Sequence, residues 1–210
     1  MEELKKAITE GDPEVAEEQA RKVLDSGVDG SQALNEAVIP GILEAGELWK
    51  QGLYFVPDVI MSAEAFKAAM AVLEKDQPNI SAKTIGKYVI CTVAGDIHDL
   101  GKDIVCSMLK ASGFEVHDLG VDVPISTFIE KVKEVHPDIV GLGAYMSTTA
   151  ATMKDYIKAI ENEGLRSSLK VMIGGVRTSE QYAKELGADA WGRDGVHTAE
   201  NALKLMGVEK

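Results

Sequence analysis

Asp96, His98 and Gly101 stand within one octapeptide, Gly95-Asp96-Ile97-His98-Asp99-Leu100-Gly101-Lys102. A neutral imidazole is the commonest protein nitrogen donor to a transition metal. A ligating histidine usually gives its other ring N–H to a carboxylate, which fixes tautomer and orientation. Asp96, two residues away on the same stretch, is placed to be that carboxylate. Gly101 has no side chain, so a bulky group can approach the backbone there. An ordinary surface loop also contains such residues, so the flanking chain must carry the argument.

That chain is strongly patterned. An apolar β-like run, Tyr88 to Val93, precedes the octapeptide, and a helix-like run from Lys102 to Ser112 follows it. Further strand-like runs are Glu115–Leu119, Ile139–Gly143, Lys170–Ile173 and a short one near Ala190-Trp191. Helix-like runs lie between and after them: Ser126–Val135, Thr152–Glu163, Ser179–Leu186 and Ala199–Met206. Five βα units predict an α/β domain with a Rossmann-like, flavodoxin-like five-stranded parallel sheet ordered 2-1-3-4-5. In that order the switch point falls between the first and third strands, and ligands sit beyond the strands' carboxyl ends. Three loops then converge: the His98 loop, Gly143-Ala144-Tyr145-Met146-Ser147-Thr148-Thr149 after the third strand, and Gly174-Gly175-Val176-Arg177 after the fourth.

Residues 1 to about 75 read as helices. Asp12-Pro13 opens one towards Ser26, with proline at the first helical position. Ser31 caps a longer one carrying Leu34, Val38, Ile42 and Leu48, with Pro40 as a kink and Gly52 as its end. Val56-Pro57-Asp58 opens another, with Val59, Ile60, Ala63, Phe66, Met70 and Leu73 at helical spacing. The pattern predicts an N-terminal four-helix bundle. A polar stretch from Asp76 to Lys83 separates it from the alternating half, giving domains 1–80 and 81–210.

Composition narrows the partners. The 210 residues carry 22 basic and 34 acidic side chains, a net charge of −12, which argues against nucleic acid or an anionic membrane as partner. Cys91 and Cys106 lie in apolar surroundings without C-x-x-C spacing and read as buried reduced thiols of a cytoplasmic protein. The N-terminus has no apolar signal core, and no apolar run is long enough to span a membrane.

Asp96-x-His98-x-x-Gly101 resembles the corrinoid-binding signature of methionine synthase and of the corrinoid proteins of methyltransferase systems. The resemblance implies a corrinoid (cobalamin or a related cobamide) bound base-off, with His98 replacing the cofactor's own base as the lower cobalt ligand. It places Asp96, Ile97, His98, Asp99, Leu100 and Gly101 against the cofactor. It also implies a His–Asp–hydroxyl relay, whose hydroxyl falls at Thr149 or else Ser147. The family follows with a serine-x-leucine; here Gly143-x-Tyr145 stands instead. Its Gly-Gly pair matches Gly174-Gly175, where backbone N–H groups at a helix start suit the phosphate of the nucleotide tail. The segment Gly46 to Pro57 resembles the family's cap, which puts Trp49 and Val56 over the corrin's upper face. The competing reading of Trp49 is bundle core.

The resemblance implies a carrier subunit more than a stand-alone enzyme. A substrate-specific methyltransferase delivers a methyl group to cobalt(I). A second methyltransferase takes it from methyl-cobalt(III) to an acceptor, tetrahydrofolate or a thiol such as coenzyme M. A reductive activase completes the system. Three alternatives stand beside it. The cobalamin subunit of an adenosylcobalamin mutase would not need the cap segment. A corrinoid-dependent sensor would carry a DNA-binding or signalling domain. A phosphoreceiver needs an acid at the end of the third strand, where Leu142-Gly143-Ala144 offers none. His117, His136 and His197 read as structural or exposed, and Trp191-Gly192-Arg193-Asp194 as a loop bordering the crevice.

Overall fold

The computed structural model describes residues 1–76 and 84–208, so the predicted linker lies outside the described residues from Gln77 to Lys83. Two compact units are present, Met1–Thr84 with Ala111–Gly113, and Ile85–Lys110 with Phe114–Lys210.

The first unit holds four helical rods. They are α1 (Glu2–Glu10), α2 (Pro13–Asp25), a composite third, and α5 (Val56–Asp76). The third runs through α3 (Gly30–Ala33), a π-helical turn (Leu34–Val38) and α4 (Ile39–Lys50). Asp12 caps α2 as predicted, its carboxylate accepting the Val15 N–H at 3.0 Å. The third rod is capped by Asp29, whose carboxylate accepts the N–H of Ser31 at 2.9 Å; Ser31 itself lies one residue inside the helix. Asp29 wins because its longer acceptor reaches both Ser31 and Gln32. Pro40 lacks an N–H and its ring crowds the carbonyl four residues back, and the wider π turn directly before α4 absorbs that conflict. Gly52, at φ 72°, follows the end of α4. Leu34, Val38, Ile42, Phe66 and Leu73 are buried, whereas Leu48 is only partly so. Thr9 ties three rods together. Its hydroxyl donates to Gly41 O at 3.1 Å, and its carbonyl accepts from the Tyr54 and Ser62 hydroxyls, both at 2.9 Å.

The second unit alternates β1 (Gly86–Thr92), α6 (Leu100–Ala111), β2 (Phe114–Asp118), α7 (Ile125–Val135), β3 (Ile139–Gly143), α8 (Ser147–Ala150), α9 (Met153–Asn162), β4 (Lys170–Gly174), α10 (Glu180–Leu186), β5 (Ala190–Gly192) and α11 (Gly195–Leu205). The sheet is parallel throughout in the predicted order β2-β1-β3-β4-β5. The central strands are apolar on both faces, as a sheet covered by helices on both sides requires. Val89, Cys91, Val140, Leu142 and Val171 pack on one face against Phe128, Val132 and Tyr156. Cys91 and Cys106 are free thiols that burial pushes up to about 12, as inert core cysteines. α11 starts four residues earlier than the spacing predicts, because the Asp194 carboxylate accepts the His197 N–H at 2.8 Å and caps it.

Gly141 lies where β3 passes the Tyr88 ring, and a Cβ there would come within 2.7 Å of a ring carbon. Gly143, two residues on, would meet nothing nearer than Cys91 O at 3.5 Å. Gly141→Ala should therefore lower stability by about 1–3 kcal/mol in urea denaturation. Gly143→Ala should stay within about 0.5 kcal/mol of the parent. Equal losses in the two variants would contradict the packing described for Tyr88.

Candidate functional site

The loop from Val93 to Asp99 is held by neighbours on three sides. The Thr92 hydroxyl donates to His98 O at 3.0 Å. Asp122 accepts the Gly95 N–H at 2.6 Å and donates its own N–H to Asp96 O at 2.9 Å. It does so in the left-handed region, at φ 50°, an uncommon conformation outside glycine. The Tyr156 hydroxyl accepts the Ala94 N–H at 2.8 Å and donates to Val123 O. Sequence reading passed over Asp122 and Tyr156, because neither lies near the octapeptide.

Asp96 is fully buried. One carboxylate oxygen accepts the His98 N–H at 3.2 Å and lies 2.6 Å from His98 Nδ1. The other accepts the Thr149 hydroxyl at 2.6 Å and the N–H groups of Tyr145 and Met146 at 2.7 and 3.2 Å. Burial alone would push this carboxyl up. The hydrogen bonds from Thr149, the Tyr145 N–H and His98 outweigh it and hold the group well below the usual carboxylate range. An ionised acceptor at Nδ1 places the imidazole proton there, which leaves the lone pair at Nε2. The His98 side chain is 54% exposed, so that lone pair is presented at the surface. Of the two candidate hydroxyls, Thr149 makes the contact; Ser147 is exposed at the start of α8.

The other predicted residues divide. Gly101 sits under Tyr145, where a Cβ would collide with the phenol oxygen. Gly175, at φ 117°, admits no side chain, because a Cβ would run into Ala144 O, whereas Gly174 is only tight against Gly192 O at 3.2 Å. Asp99 is exposed and its carbonyl starts α6 by accepting the Asp103 N–H. Lys102, almost wholly buried, pairs with Asp118 and Asp103 and ties α6 to the end of β2. Trp49 and Val56 belong to the helical unit; Trp49 is partly exposed and Val56 exposed. His136 is exposed and ends α7, while His117 pairs with Glu115 at 2.7 Å. His197 accepts the Arg193 N–H and, with Trp191, lines a separate cleft of about 400 Å³ between α10 and α11.

Comparison with known proteins gives this geometry a family. A B12 binding domain model matches residues 86–203, and a second B12 binding domain model matches residues 1–74. A corrinoid protein of Desulfitobacterium hafniense is 40% identical over 213 residues, covering 99% of this chain and 97% of the relative. The chain belongs to the B12-binding corrinoid proteins. Trimethylamine corrinoid protein 2 of Methanosarcina acetivorans is 40% identical over 95% of this chain and 94% of its own length. Among solved structures, a cobalamin-binding protein of D. hafniense aligns with a TM-score of 0.71 at 36% identity, covering 96% of each chain. A methanol:cobalamin methyltransferase complex of Methanosarcina barkeri aligns with a TM-score of 0.83 at 25% identity, over 99% of this chain and 80% of the other.

The site fits what a corrinoid protein has to hold. Among the described residues no three His, Cys, Asp or Glu side chains gather to hold a metal. A lone histidine suffices where a macrocycle supplies the equatorial nitrogens. The segments after β1, β3 and β4 expose apolar side chains: Ile97 is 74% and Val176 77% exposed, with Leu100 and Met146 also exposed. A planar, largely apolar ligand would cover them. The sequence reading named Met146 and Val176 only as members of the loops after β3 and β4, and not for their exposed apolar side chains.

Asp96 gives a pH test on the protein alone. Its folded value lies below the value of about 4 that an unfolded aspartate shows. Its stabilisation is therefore complete above about pH 5 and is lost as pH falls from there. Asp96→Asn should cost about 1–3 kcal/mol at neutral pH, because an amide NH2 faces N–H donors. Urea midpoints measured from pH 7 to pH 3 should fall less steeply in the variant; parallel curves would contradict the clamp.

Proposed function

We propose that this chain is the methyl-carrying corrinoid subunit of a methyltransferase system. The observation that carries the reading is the Asp96 clamp, which consumes Nδ1 of His98 and leaves Nε2 exposed on a segment that also exposes Ile97 and Leu100. Relatives named for trimethylamine and dimethylamine, at 38–41% identity over most of the chain, support a carrier over a mutase subunit or a sensor. The N-terminal B12 binding domain match supports it again, since the cap segment lies there.

On this reading the corrinoid supplies a cobalt centre that takes up and releases a methyl group, and the chain tunes it. His98 Nε2 would hold the cobalt, and Asp96 at Nδ1 would fix the tautomer and ring orientation that present it. Thr149 and the N–H groups of Tyr145 and Met146 keep Asp96 ionised throughout. Gly143, Gly174 and Gly175 would line the space for the nucleotide tail. Residues 1–80 act as the cap domain and 81–210 as the corrinoid domain. Leu53, Phe55 and Val56 are exposed on the helical unit and, with Trp49, form its shielding face. The partners are a substrate-specific methyltransferase, an acceptor methyltransferase and a reductive activase. No described helix is long and apolar enough to cross a membrane.

Protein reconstituted with cobalamin should retain about one corrinoid per chain through gel filtration. His98→Ala should change the visible spectrum and remove imidazole nitrogen hyperfine structure from cobalt(II). A colourless protein after reconstitution would overturn the reading. The cap is tested separately by Trp49→Ala, which should speed the reoxidation of reduced cobalt by dioxygen. Trp49 is partly exposed, so its loss should lower the melting temperature less than the 3–5 kcal/mol of a fully buried tryptophan would. Unchanged reoxidation with a large drop in melting temperature would remove Trp49 from the cap.

A further inference from the structure

Tyr145 stands where the related signature has a leucine, and it touches three members of the octapeptide around His98. Its backbone N–H donates to Asp96 at 2.7 Å. Its ring lies beside the His98 imidazole, centroids 5.6 Å apart and planes 36° from parallel. Its hydroxyl end occupies the space over Gly101, where any side chain would collide with it. We infer that Tyr145 is a positioning residue, which walls one side of the His98 ring and holds Nε2 in the orientation that ligates cobalt. The inference rests on the reading of His98 as the lower ligand.

The physical need follows from the clamp itself. One bond from Nδ1 to Asp96 fixes the tautomer but leaves the imidazole able to pivot about that contact. His98 is half-exposed, so open solvent bounds much of its ring. The Tyr145 ring limits the pivot on the protein side. The ring in turn cannot retreat, because its far end is seated against the first turn of α6 at Gly101. Burial pushes the phenol up to about 12, so it remains a neutral hydroxyl at working pH and acts through shape. A leucine at 145 keeps the backbone N–H to Asp96 and removes only the wall, which makes Tyr145→Leu a clean deletion.

The test uses the full chain reconstituted with cobalamin and reduced to cobalt(II). Electron paramagnetic resonance reads the ratio of imidazole-bound to imidazole-free cobalt. Tyr145→Leu should lower that ratio roughly two- to tenfold, the worth of one aromatic pair. Tyr145→Phe keeps the ring and should fall between parent and leucine variant. Gly101→Ala pushes the phenol towards His98 and should lower the ratio as well, whereas Gly101→Ala combined with Tyr145→Leu should match Tyr145→Leu alone. Nitrogen-15 histidine spectra of the cofactor-free protein give a second readout. The parent should show the His98 Nδ1–H as one sharp resonance and Tyr145→Leu a motionally broadened one, since Asp96 holds the tautomer in both and only the pivoting of the ring changes. If the parent holoprotein lacks imidazole hyperfine structure, the His98-ligand reading fails and this inference with it. If the parent shows it and Tyr145→Leu leaves both readouts unchanged, the inference alone is overturned.

Discussion

A buried carboxylate in an apolar domain is costly unless every lone pair finds a donor. Asp96 meets that condition with donors from two loops: His98 N–H and Nδ1 on its own, and Tyr145 N–H, Met146 N–H and the Thr149 hydroxyl after β3. The charge thereby forces the two loops together at the sheet's switch point. It also settles the histidine tautomer as a by-product, because Nδ1 is one of the donors. Structure and chemistry are here a single constraint: the group that organises the loops is the group that frees Nε2.

The surrounding scaffold exists to keep that constraint rigid. Asp122 accepts a positive φ in order to bond both Gly95 and Asp96, and such strain persists only where neighbours over-determine it. Tyr156 reaches from α9 to Ala94, and Thr92 holds the His98 carbonyl. The backbone of the loop is thereby held while the His98 side chain stays half-exposed.

Much of this was legible in the chain. Apolar runs bounded by glycine marked the parallel strands, and β3 was placed residue for residue as Ile139–Gly143 because both its faces are buried. Strand order followed from topology alone. The Asp96–His98 pairing was legible from residue types and spacing, and Thr149 only through the family resemblance. The resemblance favoured Thr149 over Ser147, and it is Thr149, two residues into α8, that reaches Asp96. Asp29 as cap, the π turn before Pro40 and the left-handed Asp122 were hidden. Each is decided by a competition between backbone partners that residue types do not reveal. Asp122 and Tyr156 support the loop from 27 and 62 residues away in the chain, beyond the reach of any local motif.

The glycines sharpen what a motif match means. Gly175 is required by the backbone, whatever ligand is present, since its φ of 117° and its approach to Ala144 exclude a side chain. A Gly-Gly match is therefore partly a statement about the turn after β4. Gly143 is different: its φ is ordinary and a Cβ would meet only van der Waals neighbours from 3.5 Å outward. The fold does not demand a glycine there, so the open space at the end of β3 belongs to whatever lies against it. Where the resembled signature has a serine and a leucine, this chain has no side chain at 143 and an aromatic ring at 145, beside His98. The two departures are complementary, because each alters a different boundary of one site while leaving Asp96 and its donors intact.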